Sequence, residues 1–161
     1  MHARLTRVPL YFVFALMLAL GASDVRAAGG DSDSTSADPS SPVGQAKALI
    51  DARDYAGAVP ILEGAVKATP RNADAWNWLG YATRQLGRFA ESERHYLKAL
   101  EIDPAHRGAL EYLGELYVKT QRMADAKAML ARLDRECLFG CKEYDELKQA
   151  IETGTVKSSS W

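Results

Sequence analysis

The sequence contains few cysteines and histidines, which are common metal ligands and catalytic residues. Its 161 residues include two cysteines and three histidines, and its net charge is −1. Two cysteines are too few for a disulfide-framework scaffold or a self-contained zinc site. Without a surplus of Lys and Arg, we expect no general attraction to nucleic acid. A hydrophobic fraction of 47% excludes a wholly disordered chain.

A long membrane-spanning run is also missing, although the N-terminus has the pattern of a targeting leader. Arg4 and Arg7 precede residues 8–22, which are almost wholly apolar, and Val25-Arg26-Ala27 follows. An apolar run of about fifteen residues is shorter than the roughly twenty that cross a bilayer as a helix. The small residues before Ala28 fit signal peptidase. We expect a signal peptide at 1–27, cleavage, periplasmic export and no stable membrane span afterwards; a retained anchor is the alternative.

Residues 28–42 are rich in Gly, Ser, Asp and Pro and contain no large apolar side chain. Such a composition predicts a flexible linker, because little apolar surface is available to offset the entropy lost on ordering.

After this linker the sequence repeats every 34 residues, and matching positions keep their size or character. The matching sets are Tyr55, Phe89 and Met123; Ala58, Ser92 and Ala126; Leu62, Tyr96 and Leu130; and Ala46, Gly80 and Gly114. Within each unit apolar residues recur at helical spacing, and Gly87 separates two such runs, which predicts a pair of helices. Asp54 is placed to cap a second helix, and Pro60 is expected to kink that helix.

These residues resemble the tetratricopeptide repeat (TPR) signature. Trp76-x2-Leu79-Gly80, Ser92-x3-Tyr96 and Pro104 match it in one unit, and Leu110-x2-Leu113-Gly114-x2-Tyr117 matches it in the next. The resemblance implies an all-α protein, a right-handed α-solenoid of helix-turn-helix units. We expect units at about 43–72, 73–106 and 107–138, with the small residues allowing close helix packing. Tyr144, Leu147 and Ile151 predict a capping helix at 143–153, and residues 154–161 a disordered tail.

No enzymatic constellation stands out, so we expect a non-enzymatic protein with no cofactor or bound metal. His95 is predicted to lie on a solvated helix face, and His106 at a turn after Pro104. Neither has a nucleophile or a ligand-spaced partner nearby. The carboxylates alternate with basic residues, which is typical of exposed helix faces, and no pair is expected in an apolar pocket.

Cys137 and Cys141 are the most informative local pair. Four-residue spacing places their Cα atoms about 6 Å apart on a helix, within the disulfide range. In an exported chain we favour a disulfide that joins the last repeat to the capping helix, with Gly140 allowing the turn. The alternatives are two free, buried thiols, a thiol-redox pair, or a soft-metal site that also uses Met129. The last two would make the protein a redox or metal-handling accessory.

In this family the first helices of the units line a groove, and a peptide binds in that groove. Without a catalytic site, this groove is the surface that is left for function. By resemblance, the groove positions are Lys47, Ile50, Asn77, Tyr81, Arg84, Glu111, Glu115 and Val118. Trp78, Gly108 and Tyr112 occupy places that the carboxylate clamp of chaperone-tail binders would need, so that subclass is not expected. We predict an adaptor that binds a protein or peptide of the cell envelope. Weak self-association is a further possibility if Val43 and Leu49 are exposed.

Overall fold

The computed structural model describes residues 38–156, and it folds this stretch into seven α-helices. The predicted signal peptide, most of the linker and residues 157–161 lie outside the described residues. The helices are α1 (Pro42–Asp51), α2 (Tyr55–Ala68), α3 (Ala73–Gln85), α4 (Phe89–Ile102), α5 (Arg107–Lys119), α6 (Met123–Glu136) and α7 (Lys142–Thr153). Within 38–156 no helix has the length and apolarity to cross a membrane.

The helices form three consecutive hairpins and one additional helix. α1 packs on α2, α3 on α4 and α5 on α6, and α7 packs on α5 and α6. The first helices of the hairpins also contact one another, α1 with α3 and α3 with α5, whereas the second helices of the described hairpins do not. The first helices therefore form an inner row and the second helices an outer row. This arrangement confirms the predicted all-α solenoid.

The turns inside the hairpins use the same backbone geometry in each unit. Arg53, Gly87 and Gln121, which are 34 residues apart, all have positive φ angles of 62°, 77° and 61°. Gly87 tolerates this conformation because it has no Cβ. After the first of these turns, Asp54 Oδ1 accepts a hydrogen bond from the Gly57 backbone N–H at 2.9 Å. The predicted turn and cap are thereby confirmed.

The small residues allow close packing, as the repeat pattern predicts. A Cβ added at Gly80 would lie 2.7 Å from the Tyr96 ring. The Ser92 hydroxyl of α4 donates to the Gly80 carbonyl of α3 at 2.7 Å. Gly114 differs in its partner, because a Cβ there would overlap Leu147 of the capping helix α7. The small residue at this repeat position therefore allows α3 to pack on α4 at Gly80 and allows α7 to pack on α5 at Gly114.

Pro60 lies inside α2, which runs from Tyr55 to Ala68, and the expected kink at this position stays a prediction. The capping helix begins one residue earlier than predicted, at Lys142, and ends at Thr153, before Gly154, whose φ is +66°. Glycine at that position adopts the left-handed conformation that commonly ends a helix.

Candidate functional site

The inner row of helices carries a band of aromatic and polar side chains that we call the inner wall. Seven of the eight side chains predicted to line the groove are buried, and Lys47 is half-buried. Ile50, Tyr81 and Val118 belong to the hydrophobic core, and so does Tyr112 of α5. We define the inner wall as the polar and aromatic residues of this row: Lys47, Asn77, Trp78, Tyr81, Arg84, Glu111, Tyr112 and Glu115. The assignment of this wall to ligand binding remains a prediction.

Aromatic rings form the centre of the inner wall. The Tyr81 ring of α3 lies 5.1 Å from the Tyr112 ring of α5, centroid to centroid. Trp78 lies 5.9 Å from Tyr81, and the Lys47 ammonium of α1 lies 5.6 Å from the Trp78 ring centroid. Three helices therefore meet through one aromatic cluster. Trp78 and Tyr112 are absent from the predicted groove residues, where they count only as replacements at the places of a carboxylate clamp. Aromatic residues at adjacent inner-row positions are the signal that could have included both.

A buried ion pair crosses from α3 to α5 beside these rings. Arg84 Nη1 donates to Glu115 Oε2 at 2.7 Å, and the exposed fractions of the two side chains are 2% and 5%. The Arg84 guanidinium also lies 5.3 Å from the Tyr81 ring and 5.5 Å from the Tyr112 ring. Burial raises the pKa of Glu115, and Arg84 opposes that rise. Helical spacing predicts that both residues share this face, and the structure brings them into contact.

Several polar atoms of the wall are buried without a hydrogen-bond partner. They are Arg84 Nε, Arg84 Nη2 and Asn77 Oδ1. A buried polar group without a partner destabilises a protein by about 1–3 kcal/mol, and a charged group by more. These atoms lie within the packed interior of the inner row and have no hydrogen-bond partner among residues 38–156.

Glu111 is buried as well, which corrects the expectation that no pair of carboxylates is placed in an apolar setting. Glu111 and Glu115 are 3% and 4% exposed. Burial raises the pKa of Glu111 to about 10, with further contributions from Glu115 and from a hydrogen bond to the Glu146 side chain of α7. The Glu111 carboxyl is therefore protonated at neutral pH. The capping helix causes this burial, and the spacing of carboxylates within α5 does not reveal it.

The histidines have structural partners. His95 is not solvated as expected, because its ring packs 5.6 Å from the Trp76 ring and burial lowers its pKa. His106 caps α5, since its Nδ1 accepts from the Ala109 backbone N–H at 3.1 Å. Its Nε2 lies 3.1 Å from Asp74 Oδ1 of α3. His106 thus links two units, a role that its position after Pro104 does not predict.

The cysteines lie between α6 and α7. The structure joins Cys137 and Cys141 through their sulfur atoms, with Cα atoms 5.6 Å apart. Gly140 adopts a φ of +84° within this loop, and Met129 packs against the hydrophobic core. Across residues 38–156, no group of three or more His, Cys, Asp and Glu side chains is arranged to hold a metal ion.

The proposed reason for self-association does not hold. Val43 is 6% exposed, and Leu49 is partly buried against the core, so these side chains do not form an exposed apolar patch. Ser41 Oγ accepts from the Gly44 N–H at 3.0 Å, which fixes the start of α1. The first hairpin therefore buries these side chains within the chain itself.

Solved structures of other proteins have the same fold. The Arabidopsis OM64 TPR domain has a TM-score of 0.64 at 18% identity, and the match covers 71% of this chain and 93% of that domain. The first TPR domain of human RPAP3 has a TM-score of 0.64 at 18% identity, covering 70% and 88%. The first TPR of Spaghetti (RPAP3), bound to the HSP90 peptide SRMEEVD, has a TM-score of 0.63 at 18% identity, covering 70% and 90%.

Sequence comparison gives the same assignment. No curated relative matches the chain. Two family models described as tetratricopeptide repeat match residues 43–107 and 84–151, which together span most of the chain and overlap in the middle hairpin. The matched stretch contains all three hairpins and most of α7. The chain belongs to the tetratricopeptide-repeat family.

Proposed function

We propose that this protein is a non-enzymatic adaptor of the cell envelope that binds a peptide or a peptide segment of a partner protein on its inner wall. The observation that carries the proposal is the aromatic cluster of the inner row, where the half-buried Lys47 ammonium lies 5.6 Å from the Trp78 ring and the Trp78 ring lies 5.9 Å from the Tyr81 ring. The partly exposed edge of this cluster is the surface that we propose the partner contacts.

The fold supports this proposal because it brings aromatic and basic side chains of three helices together along the inner row. Helices α1, α3 and α5 all contribute to the aromatic cluster of Lys47, Trp78, Tyr81 and Tyr112. Aromatic side chains and arginine are the residue types that most often dominate binding energy at protein interfaces. The structurally similar Spaghetti domain is bound to a peptide, which supports the same use of this fold here.

The envelope location is part of the proposal. It is supported by the leader pattern of residues 1–27 and by the pairing of Cys137 with Cys141. Disulfides persist in oxidising compartments such as the bacterial periplasm. We therefore propose that the disulfide forms after export and fixes the turn between α6 and α7.

Site-specific photo-crosslinking in cells tests where the partner binds. A benzoylphenylalanine replaces Lys47 on the inner wall, and in a matched variant it replaces Lys127, which is exposed on the outer helix α6. We expect an adduct with a distinct envelope protein from position 47 and none of that protein from position 127. An adduct that forms equally well from both positions, or from position 127 alone, would contradict binding on the inner wall.

A further inference from the structure

We infer that the turn between α6 and α7 is a second contact surface, from which Leu138 and Phe139 enter an apolar pocket of a partner protein. This surface lies outside the inner wall, so the inference goes beyond the proposed function. It follows from the geometry that this turn shares with the other connections between hairpins, from the residues at its corner and from the charges around it.

The connections from α2 to α3, from α4 to α5 and from α6 to α7 contain the same four-residue turn. In each turn the backbone N–H of the fourth residue donates to the carbonyl oxygen of the first. These pairs are Asn72 with Thr69 at 3.0 Å, His106 with Asp103 at 3.2 Å, and Gly140 with Cys137 at 2.9 Å. The first residues have similar φ angles of −130°, −130° and −116°. All three turns expose their two middle residues, which form the corner of the turn.

The chemistry of the corner differs between the turns. The first two turns begin their corners with Pro70 and Pro104, and proline is favoured at that position. The third turn has Leu138 and Phe139, a pair that we call the apolar corner. Their exposed fractions of 81% and 101% are the highest of the large apolar side chains in residues 38–156. Side chains so exposed contribute little packing within the chain, and the other two turns show that this backbone does not require them.

The third turn has a disulfide where the other two turns have a proline. Proline restricts the backbone of the first two turns. In the third turn, Cys137 and Cys141 are joined on either side of the apolar corner. A contact surface that is already held in one conformation loses less conformational entropy on binding. The apolar corner is therefore preorganised for a partner.

The charges around the apolar corner favour a protein over a lipid surface. Anionic membrane surfaces attract clusters of Lys and Arg. The flanking residues instead alternate in sign, with three acidic and two basic side chains: Asp134, Arg135, Glu136, Lys142 and Glu143. A charged ring of both signs around an apolar centre is the arrangement of a protein interface, which has a polar rim.

The size of the apolar corner favours a pocket over a second copy of this chain. A Phe side chain buries about 150–250 Å², and each partner of a stable complex buries about 800 Å². Two copies that met at their corners would therefore bury too little surface. A pocket, in contrast, surrounds both side chains, and a few well-buried anchors supply most of the binding energy at interfaces.

Photo-crosslinking at the apolar corner distinguishes these occupants. Benzoylphenylalanine replaces Phe139, which keeps an aromatic ring there, and in a matched variant it replaces Leu97, which is 48% exposed on α4. In cells we expect position 139 to give a protein adduct that position 97 does not give. Tandem mass spectrometry should locate the crosslink in an apolar segment of that protein. A crosslink to a wholly polar segment, to a second copy or to lipid, or no adduct, would overturn the inference.

The affinity for the purified, crosslinked partner tests the two side chains directly. Leu138→Pro/Phe139→Ala gives the third turn the corner residues of the second, so the turn is retained while the apolar surface is lost. We expect affinity to fall about tenfold or more, as for the lost burial of a large apolar side chain, with an unchanged circular dichroism spectrum. Leu97→Ala should bind as the wild type does. Equal affinity of the wild type and the double variant would overturn the inference.

Positions 47 and 139 keep this inference separate from the proposed function. An adduct from position 47 with none from position 139 would overturn the inference and leave the proposed function in place. An adduct from position 139 alone would support the apolar corner and contradict binding on the inner wall.

Discussion

At the scale of single residues, glycine is required for close packing in one helix and only lowers helix stability in another. Gly80 faces the Tyr96 ring so closely that a Cβ would lie 2.7 Å from it, whereas Gly64 in α2 has open space around the position of a Cβ. Glycine inside a helix destabilises it by up to about 1 kcal/mol relative to alanine. The packing at each site therefore decides whether that loss of helix stability is compensated.

Alanine substitutions at these glycines should change stability in opposite directions. Gly80→Ala is expected to destabilise, because overpacking a buried site costs about 1–3 kcal/mol and exceeds the gain in helix propensity. Gly64→Ala, the matched control, should stabilise by about 0.5–1 kcal/mol. Urea unfolding of both variants measures the difference. A stabilised Gly80→Ala protein would show that the close approach to Tyr96 is unimportant.

Glu111 gives the protein a dependence of stability on pH. Its pKa is about 10 in the folded chain against an ordinary value of 4.5, so between these values the folded state binds more protons than the unfolded state. Stability is then fully present below pH 4.5 and falls as the pH rises toward 10. Glu111→Gln should be more stable than the wild type at neutral pH and should lose less stability in alkali.

Urea unfolding across this pH range checks the prediction for Glu111. Glu152→Gln, an exposed change on α7, is the matched control and should leave the pH profile of the wild type intact. Parallel profiles for wild type and Glu111→Gln would contradict the assignment of a buried, protonated carboxyl.

The sequence predicts residues well where the cause is local. The cap at Asp54 and the left-handed Gly87 follow from side-chain and backbone preferences of a few neighbouring residues. The burial of Glu111 and the ring contact of His95 depend on side chains from other helices, Glu146 and Trp76. Helical spacing gives the face on which a residue lies, but it does not give what packs against that face.

At the scale of helices, α7 completes the third hairpin. Leu147 of α7 is fully buried and lies over Gly114 of α5, where a side chain would overlap it. The loop that carries Cys137 and Cys141 connects α6 to this helix. Fixing that loop therefore also restricts how far α7 can separate from the inner row.

Replacing both cysteines should lower stability and spare binding. In the chain-entropy picture, a disulfide that closes a loop of about five residues contributes about 2 kcal/mol. Cys137→Ser/Cys141→Ser should therefore unfold at lower urea concentration than the oxidised wild type, and it should match the wild type in reducing buffer. The photo-crosslink from position 47 should form equally well in both proteins. Loss of that crosslink in the double variant would favour the alternative thiol-based function.

Helix order and type could be predicted from the repeat, because apolar spacing and small residues recur in every unit. How α2 accommodates Pro60 could not, because that depends on what packs around the proline. Proline removes a backbone donor and strains the preceding turn, but Ala58, Val59 and Leu62 are buried around it and hold the helix in the core. Tertiary packing thus compensates for a poor local preference.

At the scale of the whole molecule, the proposed export is supported chiefly by the leader pattern of residues 1–27. The protein expressed in a bacterium with its complete N-terminus should be recovered from the periplasm and should begin at Ala28. N-terminal sequencing of the fractionated protein measures this. A chain that keeps residues 1–27 in the membrane fraction would support the retained anchor, and a full-length chain in the cytosol would contradict export.

The identical turns at Arg53, Gly87 and Gln121 have a consequence for how the protein can grow. The connections between units recur as well, since Thr69 and Asp103, which are 34 residues apart, both have a φ of −130°. Duplicating residues 73–106 in place should consequently yield a longer spiral with one more inner helix. Repeats of this kind can be added one after another, and α7 ends the series because it covers the face of the last hairpin in residues 38–156.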